Sequence, residues 1–319
     1  MEAAGRGTTL VTGATGFLGR YLVRRLVERG DDVRALVRAG TDPAPVESLG
    51  ARVARGDVLD PDAVARASDG ARLVFHLAGL VAYEDRDLAR LRRANVESVR
   101  VVADALPEGA RLVHVSSVAA VGPADSPDRP ADEAHEFPVR AERLPYPATK
   151  REGERVALAA AKRGSDVVVA NPSFVLGAGD VYRSSTFIVW RYLQGSLRVH
   201  TPGGLSFVHA DDVAAGLVAA AERGRTGERY ILANREGNLS YEQFFRRLGD
   251  VTGVRRRMIG LPRGLALGAS QVLRWPVKPG EVRSSGNWWF YEPAKAEREL
   301  GFTNRPLDET IAETAAEYR

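Results

Sequence analysis

Val11-Thr12-Gly13-Ala14-Thr15-Gly16-Phe17-Leu18-Gly19 follows the short apolar, β-branched run 8–12 and opens an amphipathic stretch from Phe17 to Arg29. That order is strand, glycine turn, helix. Phosphate recognition needs backbone to approach the ligand closely, which excludes Cβ atoms at the contact points. A helix N-terminus adds free N–H groups and partial positive charge, and Gly19 lets the helix pack tightly on the strand. The spacing is GxxGxxG, one residue longer than the usual GxGxxG. With 32 glycines in the chain, such a pattern alone says little. Placed between a strand and a helix, it reads as a cradle for a dinucleotide pyrophosphate.

Strand-like runs recur outward from this unit at 33–37, 51–55, 73–77, 112–115 and 167–170. Helical segments separate several of them, at 61–68, at 88–106 (stopped by Pro107) and at 147–162. This alternation predicts an α/β fold, a Rossmann-type doubly wound parallel sheet. Right-handed crossovers then collect the Gly turn, Asp57, Ala78-Gly79, Ser117 and Asn171-Pro172 at one sheet edge, where open α/β sheets bind ligands. After about residue 175 turns dominate. Helices are expected at 211–222 (capped by Asp211 or Asp212), 241–248 (capped by Ser240), 292–300 and 307–317, with a strand at 230–233 and an irregular apolar stretch at 262–279. The expected organisation is an NAD(P)-binding Rossmann domain over 1–172. Residues 173–319 form mostly a small C-terminal substrate lobe, interleaved with the sheet edge.

Tyr146-Pro-Ala-Thr-Lys150 lies 133 residues past Gly13. Four apart on a helix, Tyr146 and Lys150 share a face. A free phenol has a pKa near ~10, so it needs a neighbouring cation to work as an acid–base group at neutral pH. Lys150 can supply that charge and can also hold ribose hydroxyls. Only four of the 45 basic residues are lysines, so a lysine here carries information. Ser116 and Ser117 follow the fifth strand at the same edge, where one hydroxyl can donate to a substrate carbonyl. The other is structural.

Val37-Arg38 ends the second strand, and no acid occurs between Val33 and Thr41. NAD sites place a carboxylate near here for the ribose, whereas NADP sites use Arg for the 2′-phosphate. The cofactor expected is therefore NADP, with NAD second. Asp57 could accept from an adenine amine or serve as a turn or cap residue.

Together these residues resemble the extended short-chain dehydrogenase/reductase superfamily, the NAD-dependent epimerase/dehydratase family. The resemblance rests on Thr12–Gly19, Asp57-Val58, His76-Leu77-Ala78, Asn95-Val96, Ser116-Ser117 with Gly122, and Tyr146 with Lys150. Asn171-Pro172, His209-Ala-Asp211-Asp212 and Lys295 to Phe302 extend it over essentially the whole chain. The family's catalytic Ser or Thr lies five residues before the glycine, which selects Ser117. The catalytic group implied is Ser117, Tyr146 and Lys150. The implied cofactor contacts are Gly13, Thr15, Gly16, Phe17, Leu18, Arg38, Asp57, Val58, Leu77, Ala78, Gly79, Tyr146, Lys150, Pro172 and Ser173. The chain is most similar to the dihydroflavonol-reductase-like branch. One departure is Asn95-Val-Glu-Ser-Val99, where the family has Gly-Thr after NVx, and this loosens any role for Asn95. The family often dimerises through a four-helix contact, which 88–106 and 147–162 could form.

The expected reaction is hydride transfer to or from a carbonyl or alcohol carbon of a small-molecule substrate. A rival is a nucleotide-sugar epimerase or dehydratase with retained NAD, whose pyrophosphate Arg183, Arg191 and Arg198 could hold. A non-catalytic NADP sensor is the third reading, disfavoured by the intact Tyr/Lys pair. The absence of cysteine excludes disulfides and thiolate chemistry. The five histidines lack metal-ligand spacing, and His76 and His114 read as strand-end packing residues. Net charge is +4, with the basic residues scattered among 41 acids, so no nucleic-acid partner is expected. No run approaches the roughly 18 apolar residues of a membrane span. No leader pattern opens the chain, so the cytoplasm is the expected compartment. Trp275 and Asn287-Trp288-Trp289-Phe290-Tyr291 form an aromatic set that either packs the lobe or walls the substrate site.

Overall fold

The computed structural model describes residues 7–181, 183–273 and 279–319. Strand and helix alternate from the start: β1 (Thr8–Thr12), α1 (Phe17–Glu28), β2 (Asp32–Val37), α2 (Ala44–Glu47), β3 (Arg52–Arg55), α3 (Pro61–Ser68) and β4 (Ala71–His76). Then come α4 (Leu88–Arg92), a π-helical turn (Arg93–Glu97), α5 (Ser98–Asp104), β5 (Arg111–Val115), α6 (Val139–Glu142), α7 (Pro145–Lys162) and β6 (Asp166–Pro172). Beyond these lie β7 (Phe174–Leu176), α8 (Phe187–Leu193), β8 (Val199–His200), β9 (Gly204–His209), α9 (Ala210–Arg223) and β10 (Arg229–Leu232). The chain closes with β11 (Asn238–Ser240), α10 (Tyr241–Thr252), β12 (Ile259–Gly260), α11 (Arg263–Leu273), α12 (Pro279–Ser285), β13 (Trp288–Trp289), α13 (Ala294–Leu300) and α14 (Leu307–Ala316).

The main sheet has seven strands in the order β10-β6-β5-β4-β1-β2-β3, and every pairing is parallel. Strand order reverses between β1 and β4, the point where a crevice opens at the strands' carboxyl ends. Leu22, Val23 and Leu26 of α1 and Val213 and Leu217 of α9 bury one face. Val64 of α3, Val99 and Val102 of α5, and Ala157 and Ala160 of α7 bury the other. This is the Rossmann architecture expected. β10 lies well past residue 173 yet completes the main sheet. The remaining segments build a smaller unit around Tyr192, Phe207, Phe244, Phe245 and Leu248. There β9 pairs with β7, β11 and β13.

Three local expectations need correction. The helix carrying Tyr146 begins at Pro145, two residues early, because proline costs nothing in a first turn whose N–H groups have no helical partner. The cap of α9 is neither Asp211 nor Asp212: His209 Nδ1 accepts from the Asp211 N–H at 3.0 Å. The two carboxylates anchor instead, Asp211 on Arg24, Arg25 and Arg305, and Asp212 on Arg305. Finally, 263–273 is helical rather than irregular, because Pro262 lies just ahead of the first helical residue, where a proline interrupts no helical hydrogen bond. Ser240 does cap α10, in a reciprocal box with Gln243. Trp275 lies outside the described residues.

Candidate active site

The glycine turn has the geometry of a cradle. Gly13 sits at φ +71°, and a Cβ there would come 2.7 Å from the Ala78 backbone nitrogen. A Cβ on Gly19 would come 2.7 Å from the Ala14 carbonyl oxygen, so α1 can pack here only on glycine. Gly16 caps α1 and contributes no side-chain acceptor. The N–H groups of that first turn, orphaned at any helix N-terminus, therefore remain for a ligand. The donor set fits a pyrophosphate.

A cavity of about 1200 Å³ runs from this turn into the smaller unit. Of the expected site residues it is lined by Gly13, Gly16, Phe17, Leu18, Arg38, Leu77, Gly79, Ser117, Tyr146, Lys150, Pro172 and Ser173. Thr15, Asp57, Val58 and Ala78 are not on its wall. Asp57 is exposed and accepts from the Leu59 N–H at 2.9 Å, so the turn role is the one with a partner here. Asp60 caps α3. Arg38 is exposed at the end of β2, beside the glycine turn's end of the cavity.

The Ser117 hydroxyl lowers the pKa of the Tyr146 phenol. Ser117 Oγ also accepts from the Ala119 N–H at 3.1 Å, which fixes the hydroxyl at the start of its turn. Lys150 is 7% exposed and donates to the Val115 carbonyl at 3.2 Å. Burial pushes its pKa down to about 8, and the Glu154 carboxylate pulls the other way. Burial pushes the Tyr146 phenol up, opposed only by the Ser117 hydroxyl. The direction is thus opposite to the acidification expected from the Tyr/Lys spacing, because the phenol loses solvent and the ammonium faces Val115. His76 and His114 stack at 5.6 Å between ring centres under this group. Burial, reinforced by the Lys150 charge, pushes His76 down to about 3 and His114 well below its usual value, so both are neutral.

Asn95, Asn171, Glu154, Arg229 and Tyr83 support the site. Asn95, set in the π-helical turn, accepts from the Leu80 N–H at 2.8 Å and donates to the Leu80 carbonyl and to Thr149. It ties the loop after β4 to α7 even though Ser98-Val99 replaces the family's Gly-Thr beside it. Asn171 donates to the Ser117 carbonyl at 2.9 Å and to Glu154 at 2.7 Å, and Arg229 pairs with Glu154 at 3.0 Å. Glu154 stands one helical turn past Lys150, a spacing that could have flagged it. Tyr83 meets Tyr146 edge-on at 6.2 Å and lines the cavity. Nothing in the local pattern marks Tyr83. Of the three arginines that a nucleotide-sugar pyrophosphate would call on, Arg183 is stacked over Trp190 at 4.4 Å and off the wall, while Arg191 and Arg198 line it.

The aromatic set divides its duties. Tyr291 is fully buried and donates to the Val118 and Gly122 carbonyls, as a packing residue does. Trp289 reaches the cavity wall, alongside Phe187, Leu197, Tyr241, Phe245 and Leu261. Among the described residues there is no metal-binding cluster of His, Cys, Asp or Glu, and no helix long and apolar enough to cross a membrane.

A glycine cradle at the strand-order reversal, opening into a cavity that holds a Tyr/Lys helix, defines a dinucleotide-binding Rossmann protein. Residues 9–233 match the NAD dependent epimerase/dehydratase family, and the chain belongs to it, in the dihydroflavonol-reductase-like branch of the extended short-chain dehydrogenase/reductases. It is 34% identical over 319 residues to a putative dihydroflavonol 4-reductase of Synechocystis, covering 95% of this chain and 92% of that one. It is 32% identical over 320 residues to a ketoreductase of Stigmatella aurantiaca, covering 93% and 92%. Its fold superposes on the crystal structure of gox2253 with a TM-score of 0.85 at 32% identity, over 98% of each chain. The chain is an NAD(P)-dependent oxidoreductase.

Proposed function

We propose that the protein is an NADP-dependent reductase of a ketone or aldehyde on a largely apolar molecule. One observation carries the reading: Tyr146, Ser117 and Lys150 share one cavity with the glycine cradle. When bound, the nicotinamide dinucleotide supplies the hydride. Ser117 orients the substrate carbonyl oxygen by donating a hydrogen bond to it. Tyr146 then gives that oxygen its proton. A phenol with an upward-shifted pKa is protonated at rest, as a general acid must be. Lys150, charged below about pH 8, offers hydrogen bonds to ribose hydroxyls. Asn171 holds the Ser117 carbonyl, and the Glu154 carboxylate favours the charged form of Lys150.

NADP is favoured over NAD by Arg38 on the cavity wall and by the lack of any acid from Val33 to Thr41. An apolar substrate is favoured by walls of Phe187, Leu197, Phe245 and Trp289. The Stigmatella relative's name, 4-hydroxy-2-methyl-3-oxo-4-farnesyl-3,4-dihydroquinoline-1-oxide ketoreductase, describes a ketone on a farnesylated ring, in keeping with such a cavity. Tyr146→Phe should lower kcat by about 10²- to 10⁴-fold, the range for a lost general acid, while NADPH affinity stays unchanged. Full activity in that variant would contradict the mechanism.

A further inference from the structure

Arg191 lies on α8 inside the smaller unit, 4% exposed, with its guanidinium 5.0 Å over the Phe187 ring and on the cavity wall. Its Nε and Nη2 are buried and have no hydrogen-bond partner among the described residues. A guanidinium stays protonated in proteins, so a buried one costs free energy until acceptors meet it. These two atoms form one edge of the planar fork. Elsewhere in this chain the same edge takes a carboxylate atom for atom. Arg25 Nε and Nη2 each reach an Asp211 oxygen at 2.8 Å, and Arg29 Nε and Nη2 reach Asp31 at 2.6 and 2.9 Å. Glu281 acts on Arg191 through its charge but does not accept from that edge. Arg191 lines the cavity together with Phe187, Leu197, Phe245 and Leu261.

We propose that Arg191 is a substrate-recognition residue for a carboxylate, held two oxygens on two nitrogens, at one end of an otherwise apolar molecule. The inference rests on the reductase reading and narrows its substrate class to hydrophobic carbonyl compounds that carry an acid group. Bidentate charge-assisted pairing at a buried site gives preference as well as affinity, because a neutral isostere leaves the fork unpaired.

The test is binding of decanoate, decanamide and methyl decanoate to the NADP-loaded protein, followed by the fluorescence of the cavity tryptophan. Decanoate should bind about 10- to 100-fold more tightly than either neutral analogue, as for hydrogen bonds between charged groups. Arg191→Met should abolish that preference and leave methyl decanoate affinity unchanged. Glu281→Gln removes a negative charge that would repel a bound carboxylate. It should strengthen decanoate binding, and it keeps the test open if the Arg191 variant does not fold. No preference for the acid, no binding of the acid, or a preference that survives Arg191→Met would overturn the proposal. So would Arg191-dependent binding of UDP that displaces decanoate. Carbonyl reduction by NADPH is assayed separately. Its absence with the acid preference intact would count against the reductase reading alone, and the reverse pattern against Arg191 alone.

Discussion

Lys150→Met should stabilise the protein at neutral pH while destroying activity. The ammonium is 7% exposed, and its pKa falls from 10.5 to about 8 on folding. Each pKa unit corresponds to about 1.36 kcal/mol, so the charged form costs about 3 kcal/mol relative to the unfolded chain. Methionine fills a similar volume without charge, and it forfeits the bond to the Val115 carbonyl, worth about 1 kcal/mol. The net gain is about 2 kcal/mol, or roughly 3 °C in Tm for a chain of this size. The pH dependence comes from linkage. Between pH 8 and 10.5 the unfolded chain keeps a proton on Lys150 that the folded chain has released, so wild-type stability rises with pH across this window. Thermal unfolding of both proteins at pH 7 and pH 9.5 should show the variant ahead at pH 7 and the difference shrinking at pH 9.5. A variant less stable at pH 7, or a difference that does not change with pH, would refute the reasoning.

Arg38→Ala should weaken NADPH by about 10- to 100-fold, the worth of charge-assisted bonds to a phosphate, and leave NADH nearly untouched; equal losses in a titration of both nucleotides would remove the basis for NADP preference. Gly153→Ala places a Cβ hard against the Asn95 carbonyl oxygen, between α7 and the π-helical turn. It should cost about 3 kcal/mol, the upper end for overpacking, and lower kcat by shifting the helix that carries Tyr146 and Lys150; an unchanged Tm would show that the two segments part easily.

Most of the main sheet was legible because its signals are local. Strand, glycine turn and helix are adjacent at Thr8–Glu28, and Tyr146 and Lys150 lie on one helical turn. What escaped depends on distance or on competition between near-equal local options. His209 outcompeted two aspartates as a cap because its ring nitrogen reaches the Asp211 N–H, which a propensity argument does not register. The helix at 263–273 was obscured by its bordering proline and by Gly264 and Gly268. Tyr83 and Glu154 join the site only through tertiary contacts, across separations such as the 63 residues between Tyr83 and Tyr146. The unpaired edge of Arg191 is of the same kind, since only packing shows that Nε and Nη2 lack acceptors.

The central claim is a cofactor-exchanging NADP-dependent reductase. Mass-spectrometric identification of the nucleotide released from purified, desalted protein tests it most directly. Little retained nucleotide, with NADPH rebinding more tightly than NADH, is the expected result. Near-stoichiometric retained NAD would contradict it and would point instead to a cofactor recycled in place, as in a nucleotide-sugar epimerase or dehydratase.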